Sequence, residues 1–169
     1  HDLTSFAGKI RHEEAAGIRV ADDLLSRLTL HQSRRLDRLS QLIVLATLDA
    51  AASARLESID GDRIGLVVGT ALGCLQKTER QLHGLARAGL GHSDPMGFPD
   101  SMDNAPAAHA AIALGCRGPS FTVMQRETSG ECAVILAALL LRAGAADAVV
   151  VAAGDAASSE SARVLSRFA

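Results

Sequence analysis

The chain has 169 residues, of which 17 are basic and 19 acidic, for a net charge of −2. Charges of both signs are interspersed, which excludes the basic stripe of a nucleic-acid binder or a polybasic membrane patch. No run reaches about 18 apolar residues without a charge, so no membrane-spanning helix is expected, and the length suits one domain, residues 1–169.

Three cysteines (Cys74, Cys116, Cys132) have no C-x-x-C spacing. They read as small buried hydrophobes in a reducing cytoplasm, where the chain is expected to reside. The six histidines stand singly, with no pair at i, i+4, so no metal site is expected. Trp and Tyr are absent and there are four Phe, which leaves little for stacking on bases or sugars. No cofactor is implied. The first residues, His1-Asp2-Leu3-Thr4, lack a basic and then apolar leader, so no secretory signal is expected. His1 in place of methionine suggests a tag remnant or a processed end.

In chain order, Asp2 to Ile10 suggests an edge strand and Glu13 to Leu28 a helix. Ser33 to Leu56 sets Leu36, Leu39, Leu42, Ile43, Ala46, Ala50 and Ala54 mostly at three- and four-residue steps, an amphipathic helix of about six turns. After the turn Asp60-Gly61-Asp62, Arg63 to Val68 reads as a buried strand. Gly69-Thr70-Ala71-Leu72-Gly73 follows. It lacks the lysine and spacing of a P-loop, so it reads as a tight turn into a helix over Gln76–Ala88. A Gly- and Pro-rich loop covers Gly89–Pro99, and Asp103–Leu114 reads as an Ala-rich helix.

Ser120-Phe121-Thr122-Val123 is a short strand. It leads through Arg126-Glu127-Thr128-Ser129-Gly130 into a helix over Ser129 to about Ala143. Asp147–Ala153 is a further apolar strand, and Ser158–Phe168 a last helical stretch. Strands alternating with helices predict an α/β layer structure on a mostly parallel sheet. The run Cys132–Leu141 is apolar all round, so it requires cover on every side, more than a half-domain of this length supplies.

Strand, sharp turn and apolar helix form a frame that presents a side chain at a helix N-terminus, where negative charge is favoured. Here that side chain is Glu127. A carboxylate there is well placed electrostatically, yet it is a weak acyl-transfer nucleophile. Thr128-Ser-Gly-Glu131 also fits a capping box, so Glu127 either complements a helix terminus or shapes an acyl pocket. Arg126 pairs with Glu127 or reaches across an interface; the residues leave both open.

Four segments resemble the N-terminal half of the β-ketoacyl synthases, which have a thiolase-like fold. They are Arg35–Leu42, Ile64–Gly73, Asn104–Gly115 with Arg117–Val123, and Arg142–Gly154. The resemblance implies half of a thiolase-like fold, with about five mostly parallel strands covered by helices. Counted without a gap from Gly118-Pro-Ser and back from Arg142-Ala-Gly, the family's acyl-accepting cysteine falls on Glu127. A two-residue shift would instead place Gln125 there, which resembles chain length factors, the non-condensing partners of type II polyketide ketosynthases. The family's two histidines and lysine belong to a C-terminal half that the chain is expected to lack. No histidine here matches those motifs, and His109 lies in a run that is structural in the family.

The resemblance therefore implies no catalytic residue of the chain's own. It implies a non-catalytic, chain-length-factor-like subunit that pairs with a full-length ketosynthase and meets acyl carrier protein through that complex. The setting is type II polyketide, polyene or fatty-acid elongation. Tunnel-lining candidates are Leu75, Thr78, Glu79, Leu82, Met96, Phe98 and Met102; interface candidates are Ser120, Phe121, Thr122, Val123 and Arg126. The alternative is one piece of a split ketosynthase-like enzyme, a malonyl-carrier-protein decarboxylase or condensing enzyme, completed by another chain.

Overall fold

Helix α1, Arg38–Ala54, begins where the Asp37 carboxylate accepts the Ser40 amide at 2.9 Å, and it ends where Arg55 turns left-handed at φ 55°. The computed structural model describes residues 26–28, 36–89, 95, 97–158 and 161. The periodic pattern from residue 33 is therefore helical only beyond its Asp37 cap, among the described residues. Leu39, Ile43, Val44, Thr47 and Ala51 form one fully buried stripe of α1. Each of the large apolar members contributes about 1.5–3 kcal/mol by leaving water.

Strand β1, Ile64–Gly69, is buried at all six positions. Helix α2, Leu75–Ala88, and a single 3-10 turn, Pro99–Ser101, lead to helix α3, Ala105–Leu114. Strand β2, Ser120–Val123, has the limits that its sequence suggests, and helix α4, Ser129–Arg142, follows it. Strand β3, Ala148–Ala153, completes the order.

The sheet is parallel with β1 at its centre, in the order β2-β1-β3. Leu66 aligns with Ser120 and Val150, and Gly69 with Val123 and Ala153, so all three strands end level. Side chains alternate between the faces, as strand geometry requires. Ile64, Leu66, Val68, Val150 and Ala152 pack on α1 and α3, through Ile43, Val44, Ala107 and Ala110. Val67 faces the other way, onto Ala133 and Ala137 of α4, with Val123, Val149 and Val151 beside it. The result is a helix–sheet–helix sandwich, the α/β arrangement expected.

The strand count differs from expectation. Three strands are found among the described residues, not about five. The expected edge strand at 2–10 lies outside the described residues, as does most of the expected helix at 13–28. Of the last expected helix, only Ser158 and Ser161 are described. Their hydroxyls each accept the other's backbone amide, at 2.8 and 2.9 Å, a reciprocal cap at the start of that stretch.

One face of α4 has no cover. Val134, Ile135 and Leu139 are 57%, 59% and 53% exposed, and Leu141 is also exposed. Phe121 and Met124, on β2 and just after it, are exposed as well. The apolar helix is thus covered on its sheet side and bare on the other, as its all-round apolar sequence demands of a chain this short.

Candidate functional site

The three strands end on a common rim, and the turn between β2 and α4 lies across it. Thr70 donates its amide to the carbonyl of Val123 (3.0 Å), and Gly154 donates to the carbonyl of Gly69 (3.1 Å). A Cβ on Gly69 would stand 2.5 Å from the Ser129 carbonyl oxygen. No side chain fits there, so the first residue of α4 rests directly on the end of β1. In open parallel sheets this carboxyl rim is where ligands bind.

The turn itself is one 3-10 turn, Arg126–Thr128, entered through Gln125. Arg126 is left-handed at φ 53°, a conformation that costs a non-glycine residue about 1 kcal/mol. Ser129 holds the turn closed. Its Oγ accepts the Gln125 amide at 2.9 Å and lies 3.0 Å from the Thr70 carbonyl and 2.6 Å from that of Arg126. Glu127 is exposed at the apex, immediately before the positive end of α4. Among the described residues neither Arg126 nor Glu127 has an ion-pair partner, so the two do not pair with each other.

The expected capping box does not form. Thr128 makes no side-chain cap to α4; its hydroxyl donates instead to the Gln125 carbonyl at 2.9 Å. That residue already belongs to the 3-10 turn, and the nearer carbonyl takes its hydroxyl before the helix amides can. Ser129, one residue later, supplies the tie.

The loop after β1 borders the same rim. One Asp155 oxygen accepts the Thr70 hydroxyl (2.7 Å) and the amides of Ala71 (2.9 Å) and Leu72 (2.8 Å). Thr70 Oγ1 in turn accepts the Gly73 amide at 3.1 Å, and Asp103 accepts that of Cys74 at 3.1 Å. Gly73 is left-handed at φ 55°, and a Cβ there would stand 2.1 Å from Asp103 Oδ1. Three of these amides are spent on carboxylates of the chain itself and the fourth on the Thr70 hydroxyl, which supports a tight strand-to-helix turn over a phosphate cradle. Sequence reading missed Asp103 and Asp155; a Gly-Asp pair directly after an apolar strand was the available signal.

The remaining candidates divide. Thr78 on α2 lies 3.1 Å from the Ser101 carbonyl, joining α2 to the Pro99–Ser101 turn. Asp100 on that turn lies 3.0 Å from His109 Nε2 and 3.8 Å from Lys77 Nζ, which pins the turn between α2 and α3. Leu75 is half-buried, whereas Leu82, Phe98 and Met102 are exposed on α2 and beside the turn. Glu79 instead accepts the Ser158 hydroxyl at 2.7 Å. Met96 lies outside the described residues. Ser120–Val123 forms the edge of the sheet among the described residues, with Ser120 and Phe121 exposed and Thr122 and Val123 half-buried.

Two of the three thiols are held inactive. Burial, reinforced by the carboxylates of Asp37, Asp103 and Asp100, pushes Cys74 up to about 12, and burial also raises Cys116. Both are held as inert thiols. Cys132 sits on the first turn of α4, past the apex, and is half-buried. Among the described residues no helix is long and apolar enough to cross a membrane.

A β-strand, a strained turn and an apolar helix on a parallel rim narrow the fold, and sequence comparison decides it. The profile of the beta-ketoacyl synthase N-terminal domain matches residues 2–168. The chain belongs to the β-ketoacyl synthase family. Nodulation protein E of Rhizobium meliloti is 31% identical over 123 residues, which are 72% of this chain and 31% of that protein. Among solved structures, the AntDE:AntF complex of a type II polyketide acyl-carrier protein with its ketosynthase superposes at a TM-score of 0.78. That likeness covers 86% of this chain and 43% of that one, at 22% identity. The ishigamide ketosynthase/chain length factor gives 0.69, also at 22% identity, over 86% of this chain and 46% of that one. These likenesses place the fold in the N-terminal half of the thiolase-like ketosynthases. The chain spans about a third of the length of the curated relatives it matches.

Proposed function

We propose that the chain acts as a non-catalytic, chain-length-factor-like subunit that pairs with a full ketosynthase and shapes its acyl tunnel. The observation that carries this reading is Glu127 at the apex of the strand–turn–helix. A gap-free count puts the family's acyl-accepting cysteine at that position. A carboxylate does not replace a thiolate in accepting an acyl group from a thioester, and Cys74 and Cys116 are buried elsewhere as protonated thiols. The partner then supplies cysteine and histidines, and acyl carrier protein engages the pair. In this reading Leu75, Thr78, Glu79, Leu82, Met96, Phe98 and Met102 face the growing acyl chain. Ser120–Val123 and Arg126 lie along the junction with the partner.

Co-expression with candidate ketosynthases tests the proposal. A stable one-to-one complex whose product length changes when Phe98 or Met102 is altered is the expected result. A monodisperse monomer that ignores every ketosynthase offered would sink it.

The bare face of α4 favours a second reading, in which another stretch of polypeptide completes the fold and the assembly decarboxylates malonyl-carrier protein. The purified assembly would then release carbon dioxide from malonyl-loaded carrier protein. Without that release the second reading falls.

A further inference from the structure

The turn Pro99–Ser101 stands between two helices and has no apolar core of its own. None of its residues is buried, and the large apolar side chains that flank it, Phe98 and Met102, are exposed. Polar contacts hold it instead. One Asp100 oxygen lies 3.0 Å from His109 Nε2 on α3, and the other lies 3.8 Å from Lys77 Nζ on α2. The Thr78 hydroxyl of α2 lies 3.1 Å from the Ser101 carbonyl. Ser101 closes the turn on itself, its hydroxyl donating to the Phe98 carbonyl at 2.7 Å.

Among the described residues, Asp100 is the side chain of this turn that reaches both helices, with one oxygen for each. The side chains of Lys77, Asp100 and His109 are 22%, 25% and 29% exposed, so water screens these contacts only in part. A charge-assisted contact so placed is stronger and more directional than a neutral one. Without the carboxylate, the turn keeps its side-chain tie to α2, through Thr78 and Ser101, and loses the one to α3. Phe98 and Met102 stand two residues either side of Asp100, so any shift of the turn passes directly to them.

We propose that Asp100 is a specificity-determining positioning residue: held between Lys77 and His109, it fixes Phe98 and Met102 in place and so sets the length of the acyl chain. The inference rests on the subunit reading above, in which those two side chains face the growing chain. An acyl chain grows by a fixed unit at each condensation, so an end wall that shifts by the length of a unit admits more than one product. Asp100 touches neither the acyl chain nor the reacting atoms; it acts through the turn that it holds.

Asp100→Ala is compared with the parent in two measurements. Hydrogen exchange across residues 97–104 of the full-length protein, followed by mass spectrometry, should speed up by about five- to tenfold, while exchange in β1 stays as in the parent. In the complex with a ketosynthase, the product distribution should broaden toward longer chains. The ratio of product lengths is the quantity read, because a variant that merely yields less folded complex lowers every product alike. Asp100→Asn keeps an acceptor oxygen and should recover part of the narrow distribution. Lys77→Met removes only the α2 contact; it should broaden the distribution less, and it carries the test if Asp100→Ala does not fold. Phe98→Ala serves as the reference for the subunit reading. A change of product length with Phe98→Ala, but none with the Asp100 and Lys77 variants, would overturn the inference and leave the subunit reading standing. No change with any of them would sink both. Unchanged exchange across residues 97–104 in Asp100→Ala would overturn the inference whichever partner is used.

Discussion

Asp155 accepts the Thr70 hydroxyl at 2.7 Å and thereby joins the loop leaving β1 to the loop leaving β3. The same carboxylate oxygen also holds the amides of Ala71 and Leu72, so a single side chain sets the shape of the rim beneath Glu127.

Removing that carboxylate should be costly for a surface residue. Asp155→Ala leaves one hydroxyl and two amides without their acceptor, and about 1.5–3 kcal/mol of unfolding free energy should be lost. Asp155→Asn, which keeps an acceptor oxygen, should lose less. Urea denaturation of the two variants checks this; equal stability of Asp155→Ala and the parent would remove the clamp from the account.

Glu127→Cys, assayed in the complex with its ketosynthase, should not create a second condensing centre. The measured quantity is acyl loading on this subunit from acyl-carrier protein, by intact mass. Stoichiometric loading with condensation would end the non-catalytic reading. Glu127→Ala should change the stability of the chain by no more than about 0.5 kcal/mol, because its side chain is exposed and has no ion-pair partner among the described residues.

Arg126 holds a left-handed backbone that glycine adopts freely. Arg126→Gly should therefore stabilise the fold by about 0.5–1 kcal/mol, read as a higher thermal midpoint. Arg126→Val should do the opposite, since a β-branched side chain is poorly tolerated at positive φ.

Ile135→Glu with Leu139→Glu tests the bare face of α4. Both positions are more than half exposed, so the chain's own stability should hardly change while its solubility rises. Association with the polypeptide that covers this face, measured by light scattering, should be lost. A loss of several kcal/mol in the chain alone would mean that this face is covered within it.

Cys74 gives stability a dependence on alkaline pH. Its folded-state value is raised from the ordinary 9.0 to about 12, so its contribution is intact below about 9. Between 9 and 12 the unfolded chain releases the proton while the folded one keeps it, and stability falls with rising pH. Cys74→Ala should flatten that part of the profile. In the native protein the thiol should resist alkylation at pH 8 and react only after unfolding.

Much of this architecture was legible in the residues. Ser120–Val123 read as a strand because β-branched and aromatic residues stand between Gly118-Pro119 and a turn. Arg63–Val68 and Asp147–Ala153 read as strands because each carries a near-continuous apolar run, as strands of a parallel sheet do. The helix of α1 was overrun at its start because periodicity alone does not register the Asp37 cap. The Thr128–Glu131 box failed because a motif does not say whether its threonine is already committed to a preceding 3-10 turn. The partners of Asp155 are beyond local pattern, since the Gly-Asp pair marks only a turn and the loops it joins meet only when β1 and β3 pair.

That pairing has a cost in time. Arg63 and Asp147, just before β1 and β3 and bonded to each other at 2.6 Å, are 84 residues apart. A ribosome adding about 5–20 residues per second needs several seconds to deliver β3 after β1. Until β2 is made, β1, apolar at four of its six positions and destined for the middle of the sheet, has neither neighbour, and until β3 is made it has only one. Nascent chains of this protein should therefore engage chaperones at β1, and slowing translation between β1 and β3 should lower the soluble yield.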